Sequence, residues 1–97
     1  CNIAESYRVA GKLDDSVRHS RKAISLMPHN PDAHNHLGLA LQGQRKLDEA
    51  VASFREAVTL NPNFALGFNN LGSALREAER ADEALEAFRE AVRLNPK

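Results

Sequence analysis

The sequence predicts an all-α protein built from antiparallel helix pairs that stack side by side. Three observations predict this fold class. Pro28, Pro62 and Pro96 recur 34 residues apart, and residues 31–63 are identical to residues 65–97 at 16 of 33 positions. Apolar residues recur at three- and four-residue spacing, which places them on one face of a helix. No segment alternates apolar and polar residues as a half-buried strand would. The repeated unit is therefore one pair of helices.

The composition restricts the chain to one soluble domain and excludes several functional classes. With 97 residues there is room for a single domain. The 13 basic and 13 acidic residues cancel, so the charge expected of a nucleic-acid or membrane-surface binder is absent. One cysteine excludes an internal disulfide and a zinc site made of several cysteines. It fits a cytoplasmic location, with a bacterial periplasm as the alternative.

The first helix of the middle unit is predicted to begin at Asn30. An asparagine can cap the free N–H groups of a helix, and Pro31 and Asp32 both suit its first turn. Leu37 and Leu41 follow at a spacing of four residues and form an apolar stripe. This segment is therefore expected to pack one face against a neighbouring helix.

A turn and a second helix are predicted to complete the unit. Residues 43–46, Gly-Gln-Arg-Lys, weaken the first helix and form the turn. Asp48 is predicted to cap a second helix that carries Phe54 on its apolar face. Residues 61–63, Asn-Pro-Asn, are predicted to end it, because proline lacks the N–H group and clashes with the preceding turn.

The same helix-turn-helix pattern is predicted for every unit of the chain. The first repeat is partial and covers residues 1–30, the second covers residues 31–64, and the third covers residues 65–97. The chain starts inside a unit, and no capping helix follows the third repeat. We therefore expect a fragment of a longer array of repeats.

The repeat unit resembles the tetratricopeptide repeat. That family places a large residue, a Leu-Gly pair and a second large residue on the first helix, and an alanine, an aromatic residue and a proline on the second. In the middle unit these positions hold His34, Leu37-Gly38, Leu41, Ala50, Phe54 and Pro62. In the third unit they hold Phe68, Leu71-Gly72, Leu75, Ala84, Phe88 and Pro96. In the first unit they hold Ile3-Ala4, Tyr7, Ser16, Ser20 and Pro28.

The signature positions have packing roles. Gly38 and Gly72 allow two helices to approach closely, and the buried rings of Phe54 and Phe88 are expected to fill the space between them. Ser20 takes the place of these rings in the first unit, which is therefore expected to be the most loosely packed. The resemblance implies a right-handed superhelix of about three repeats, with a concave groove lined by the first helix of each pair.

The resemblance also identifies candidate peptide-binding residues in the groove. The residue before the Leu-Gly pair faces the groove in this family, and Asn2, His36 and Asn70 occupy that position. This row is similar to the asparagine ladder of O-linked N-acetylglucosamine transferases, although His36 departs from it. An amide there can bind the backbone of an extended peptide, or it can simply be a polar residue on a solvated face. The other candidates are Glu5, Arg8, Asn35, Leu39, Gln42, Asn69, Ser73 and Arg76.

The carboxylate clamp of chaperone-binding family members is not expected here. Its key positions correspond to Cys1, Glu5, His36, Leu66 and Asn70. None of these residues is Lys or Arg, and Glu5 would repel a carboxylate. A polar, extended segment with few charges is therefore the expected ligand.

No catalytic, metal or cofactor site is expected. His29, His34 and His36 lie close in sequence, but His34 and His36 are two residues apart on a helix and point to opposed faces. No nucleophile has a motif around it, and there is no glycine-rich phosphate loop. The sequence therefore predicts a protein that is not an enzyme and that needs no metal or cofactor.

Three functions remain open at this point. The first is a protein–protein interaction scaffold that binds an extended peptide or a partner helix, without nucleic acid or membrane. The second is a substrate-recruiting arm of a larger enzyme such as a glycosyltransferase. The third is a self-assembling solenoid. Leu85 and Val92 on the uncapped last helix are predicted to lack a partner from a following repeat and to favour self-association.

Overall fold

Five α-helices follow one another along the chain. The structure, a computed structural model, describes the backbone of residues 3–95 and the side chains of residues 12–95. The helices are α1 (Ile3–Leu26), α2 (Pro31–Gly43), α3 (Leu47–Leu60), α4 (Ala65–Glu77) and α5 (Ala81–Leu94). No strand occurs in the part of the chain that is described. The predicted all-α fold class is confirmed.

The helices pack as a linear stack of antiparallel pairs. Helices α2 and α3 form one helical hairpin, and α4 and α5 form the next. Helix α1 packs on α2, α3 packs on α4, and a smaller contact joins α2 to α4. Each hairpin therefore contacts only its neighbours, which is the arrangement of a solenoid. The described helices are too short or too polar to cross a membrane.

The start of α2 is capped as the sequence predicts. The side-chain oxygen of Asn30 accepts a hydrogen bond of 3.0 Å from the backbone N–H of Asp32, and Pro31 is the first residue of the helix. This bond satisfies one of the N–H groups that a helix start leaves without a partner.

The start of α3 differs from the prediction. Lys46, not Asp48, occupies the capping position, and no side chain accepts a hydrogen bond there. Asp48 lies inside the first turn of α3, where its charge still interacts favourably with the positive end of the helix dipole. The prediction that Asp48 caps the helix was wrong because capping depends on backbone geometry outside the helix.

Two equivalent turns close the hairpins. Arg45 and Glu79 adopt left-handed backbone conformations, with φ of 65° and 64°. The N–H group of Lys46 donates to the carbonyl of Leu41 at 2.9 Å, and the third unit repeats this bond between residues 80 and 75 at 2.8 Å. This is the Schellman arrangement that ends a helix and satisfies its last carbonyl groups. The turn predicted at residues 43–46 is thus confirmed.

The first unit contains one helix instead of the predicted helix-turn-helix pair. Gly11 stands one repeat before Arg45, yet α1 continues unbroken from Ile3 to Leu26. Ser20 stands where Phe54 and Phe88 fill the other two hairpins. Without a ring at this position, the first unit has little apolar surface to hold a hairpin closed. Among residues 12–26, only Ser20 is buried, so this unit packs most loosely, as predicted.

The hydrophobic core lies between the helices of the second and third units. Phe54, Leu41 and Leu75 are its largest fully buried side chains. Its buried residues are Leu37, Leu41, Ala50, Val51, Phe54, Leu71, Ala74, Leu75, Ala84 and Ala87. Phe88 was expected to be buried like Phe54, but it is only partly buried because no helix covers the outer side of α5 in the described chain.

Candidate functional site

Helices α2 and α4 are the first helices of successive hairpins, and they carry the predicted groove residues of the second and third units. Two hydrogen bonds join them. The side-chain N–H of Asn70 donates to the side-chain oxygen of Asn35 at 3.0 Å, and that of Gln42 donates to the hydroxyl of Ser73 at 3.3 Å. The two helices therefore present one continuous surface.

Asn35 lies inside this contact, with only 3% of its surface exposed. Its carbonyl oxygen receives the N–H of Asn70, so the pair satisfies a polar group that would otherwise be buried alone. Asn35 therefore links two hairpins, and it is not accessible to a ligand. This pair is separated by 35 residues in the sequence, and Gln42 and Ser73 are separated by 31. Polar residues about one repeat apart are therefore the sequence signal for hydrogen bonds between hairpins.

Replacing Asn35 with alanine is expected to lower the free energy of unfolding by about 1 to 2 kcal/mol. The change removes a hydrogen bond and leaves a small gap between α2 and α4. Urea denaturation measures the effect. The matched control is Asn69→Ala at the same repeat position, where the exposed side chain is expected to contribute less than about 0.5 kcal/mol. Equal effects at the two positions would contradict the assigned role of Asn35.

Four predicted residues are open to solvent and form what we call the groove face. They are His36, Leu39, Asn69 and Arg76. Apart from the buried Asn35, the remaining candidates on α2 and α4 are half-buried: Gln42, Asn70 and Ser73. Asn2 lies outside the described residues, and the side chains of Glu5 and Arg8 lie outside the described side chains. The groove face thus combines an imidazole, an amide, a guanidinium group and one apolar side chain.

A depression of about 390 Å³ lies between α1 and α2, next to the groove face. His36 and Leu39 border both features. On the α1 side, the floor includes Ser16 and Ser20, where the other hairpins have alanine and phenylalanine. The sequence indicated loose packing in the first unit but did not predict that the resulting space opens beside the candidate groove.

The histidines of α2 have different environments. The ring nitrogen Nε2 of His34 donates a hydrogen bond of 3.0 Å to the backbone carbonyl of Pro28. This bond stabilises the turn between α1 and α2. His36 is exposed on the groove face. Among the residues whose side chains are described, no three His, Cys, Asp or Glu side chains converge to hold a metal ion.

Ion pairs lie outside the groove face. Arg45 and Glu77 approach to 3.2 Å, and Arg55 and Glu83 to 3.6 Å, so both pairs join successive hairpins. On α5, the hydrogen bond from Arg93 holds the pKa of the Glu90 carboxyl below its ordinary value. These pairs are exposed, and such pairs contribute little to stability individually.

Together, the stacked hairpins and the polar face of their first helices define an α-helical repeat protein of the solenoid class. The chain belongs to the tetratricopeptide repeat family, whose family model matches residues 1–63 and again residues 37–97. This match covers the whole sequence and agrees with the 34-residue period. No curated protein matches the chain.

Solved structures show the same fold. The first tetratricopeptide repeat domain of Spaghetti (RPAP3), bound to the HSP90 peptide SRMEEVD, has a TM-score of 0.87 and 22% identity, covering 96% of this chain and 74% of that one. MamA AMB-1 has a TM-score of 0.81 and 31% identity, covering 87% of this chain and 49% of that one. YrrB, described as a protein with an unusual peptide-binding site, has a TM-score of 0.83 and 24% identity, covering 90% and 45%. The chain thus spans about half the length of MamA and YrrB.

Proposed function

We propose that this protein is a non-catalytic interaction module that binds an extended peptide along α2 and α4. The observation that carries the proposal is the depression beside the groove face. A peptide that crosses α2 can place an apolar side chain in the depression and its backbone amides against His36. An anchor pocket next to polar groups is the usual combination for recognising a peptide. Peptide-bound and peptide-binding proteins among the structural neighbours support the same class of function.

The depression determines which side chain the ligand carries at its anchor position. Leu13 and Leu39 supply apolar walls, whereas the two serines and His19 and His36 supply polar atoms. A leucine, methionine or phenylalanine side chain would bury apolar surface there, at about 25 cal/mol for each Å² removed from water. We therefore propose a peptide with one such anchor and otherwise uncharged polar residues.

In this proposal, the row that contains Asn70 does not bind the peptide as a ladder of free amide groups. Asn70 already donates to Asn35, so its N–H group holds the helices together. Asn69 is exposed one position earlier, but it lines a separate depression between α4 and α5. The likeness to the repeats of O-linked N-acetylglucosamine transferases therefore carries less of the proposal than the depression does.

Acidic chaperone tails are not the proposed ligand. RPAP3 is seen with the acidic peptide SRMEEVD, but Leu66 and Asn70 stand at clamp positions on α4 here, and neither carries a positive charge. Arg76 is the exposed cation of the groove face, and a single exposed charge binds a carboxylate weakly.

Replacing Ser20 with phenylalanine is expected to weaken peptide binding by at least about tenfold. The ring would occupy part of the depression, at the position that Phe54 takes in the second unit, and would leave less room for an anchor side chain. A peptide array identifies a ligand, and fluorescence anisotropy then measures its Kd against the wild type and the variant. Circular dichroism verifies that the variant is folded.

Two further variants separate the groove from the rest of the surface. Leu39→Ala on the groove face is expected to weaken binding, whereas Glu56→Ala on α3 is expected to leave it unchanged. The acidic peptide SRMEEVD serves as the negative ligand. Binding that survives both Ser20→Phe and Leu39→Ala but is lost on Glu56→Ala would place the ligand on the outer helices and refute the proposal.

A further inference from the structure

A second depression, which we call the α1–α3 depression, lies between α1 and α3 and over α2. Arg21 and Ile24 of α1 form one wall, Ala52 and Glu56 of α3 form the other, and Leu37 of α2 lines it as well. Its volume is about 570 Å³, and it shares no lining residue with the depression between α1 and α2. In the described part of the chain, α1 and α3 both pack on α2 but not on each other, which leaves the space between them open.

The next repeat carries larger side chains at the positions that line this space. Phe68 stands one repeat after His34, and Glu86 stands one repeat after Ala52. The α1–α3 depression is therefore a place where the second unit lacks an aromatic ring that the third unit has. A partner that supplies a ring here would remove apolar surface of the depression from water.

Arg21 lacks the ion pair that its counterpart forms. Arg55 stands one repeat after Arg21 and pairs with Glu83 at 3.6 Å, so this pair bridges α3 and α5. The counterpart of Glu83 is Glu49, yet Arg21 forms no ion pair with Glu49 or with any other residue whose side chain is described. The guanidinium group on the α1 wall can therefore bind a carboxylate of a ligand.

Glu56 on the α3 wall also lacks the ion pair of its counterpart. One repeat further on, Glu90 pairs with Arg93 on the same helix. Thr59 replaces Arg93 on α3, and Glu56 forms no ion pair among the side chains that the structure describes. The two walls thus present opposite charges, a cation on α1 and an acid on α3, and both side chains are exposed.

These features define one kind of ligand. A groove between helices suits an amphipathic helix of a partner protein, and residues four apart on such a helix lie on one face. We propose that the α1–α3 depression binds a partner helix with a central aromatic residue, an acid four residues to one side and a Lys or Arg four residues to the other. The acid and the base are then about 12 Å apart along the helix. The ring packs on Ile24 and Leu37. The acid faces Arg21, and the base faces Glu56.

The ligand is a different protein, not a second copy of these 97 residues. Phe88 has Ala84 and Val92 four residues away on either side. No other aromatic residue of the sequence has an acid on one side and a base on the other at this spacing. The chain therefore does not carry the charge pattern that its own α1–α3 depression requires.

Synthetic helical peptides test the proposal. Alanine-rich peptides of about 15 residues, long enough to form a helix, carry a central phenylalanine. Two of them have one Glu and one Lys four residues away, in either order, and the others have two Glu or two Lys. Fluorescence anisotropy measures each Kd. One mixed-charge peptide is expected to bind the wild type about fivefold more tightly than either like-charged peptide, because each of those places like charges together at one wall.

Charge reversal at the walls is expected to reverse this preference. Arg21→Glu is expected to bind the peptide with two Lys most tightly, and Glu56→Lys the peptide with two Glu, a gain that lost folding cannot produce. Lys22→Glu reverses a neighbouring exposed charge that does not line the depression, and it is expected to behave as the wild type. Leu39→Ala at the groove face is expected to leave these affinities unchanged, so this site and the proposed function are tested separately.

Three outcomes would overturn the proposal. The first is a wild-type protein that binds no mixed-charge peptide more tightly than the like-charged ones. The second is an unchanged preference in both Arg21→Glu and Glu56→Lys, since the peptides would then bind elsewhere. The third is equal binding of a mixed-charge peptide whose helix is broken by a proline next to the phenylalanine, since the ligand would then be an extended chain.

Discussion

Phe54→Ala is expected to lower the free energy of unfolding by about 3 to 5 kcal/mol. The ring has no exposed surface and lies in the core between the two complete hairpins. Its removal loses apolar burial and leaves a cavity that the surrounding helices fill only in part. Because a small domain has a total stability of about 5 to 15 kcal/mol, the variant is expected to be close to unfolding. Urea denaturation followed by circular dichroism measures the change.

The repeat supplies the matched control for this variant. Phe88→Ala removes the same group from the same position of the next hairpin, but Phe88 is only partly buried. We expect its cost to be about half that at position 54, because part of the ring already contacts water. An equal or larger cost at Phe88 would show that the outer side of α5 is covered in solution.

The helices were largely predictable because the period and the prolines are strong local signals. Proline ends a helix by removing an N–H group, and α3 ends at Leu60, two residues before Pro62, as the sequence predicts. Asn30 caps α2 for an equally local reason, since its side chain reaches an N–H group two residues away. Such features require no knowledge of the rest of the fold.

The first unit was less predictable because its outcome depends on tertiary contacts. Gly11 offers a better left-handed residue than Arg45 or Glu79, yet the chain turns at those two positions and continues as a helix at Gly11. The local preference of a glycine is worth about 1 kcal/mol, whereas a buried phenylalanine is worth several times more. Ser20 provides no such ring, so the local signal for a turn has no tertiary support.

The repeat positions of the candidate site residues could be predicted from the sequence, but their exposure to solvent could not. Asn35 and Asn69 are the same residue at the same repeat position, yet Asn35 is buried and Asn69 is exposed. The difference arises because α4 covers Asn35 and no described helix covers Asn69. A repeat pattern treats its units as equivalent, whereas exposure depends on how many neighbours each unit has. The depression beside His36 was missed for a different reason, because it depends on how α1 packs on α2 where Ser16 and Ser20 replace an alanine and a phenylalanine.

Gly38→Val is expected to destabilise the protein by about 3 kcal/mol, at the upper end of the range for overpacking a core. A Cβ atom at this position would lie 2.5 Å from the Phe54 ring, and the ring is enclosed on all sides. A gain in helix propensity of under about 1 kcal/mol cannot offset this overlap. Thermal and urea denaturation measure the loss. At the equivalent position, Gly72→Val is expected to cost less, because the Phe88 ring is partly exposed and can move aside.

The double variant Gly38→Val, Phe54→Ala tests whether the valine side chain and the Phe54 ring compete for the same space. If the overlap with the ring causes the loss, the valine fills part of the space that the ring leaves, and the double variant is more stable than the sum of the single changes predicts. An interaction of about 1 to 3 kcal/mol is expected for residues in direct contact. Strict additivity would mean that Gly38 is required for its backbone conformation and not for the close approach of α2 to α3. The helical conformation at Gly38, which any residue can adopt, argues for close approach as the cause.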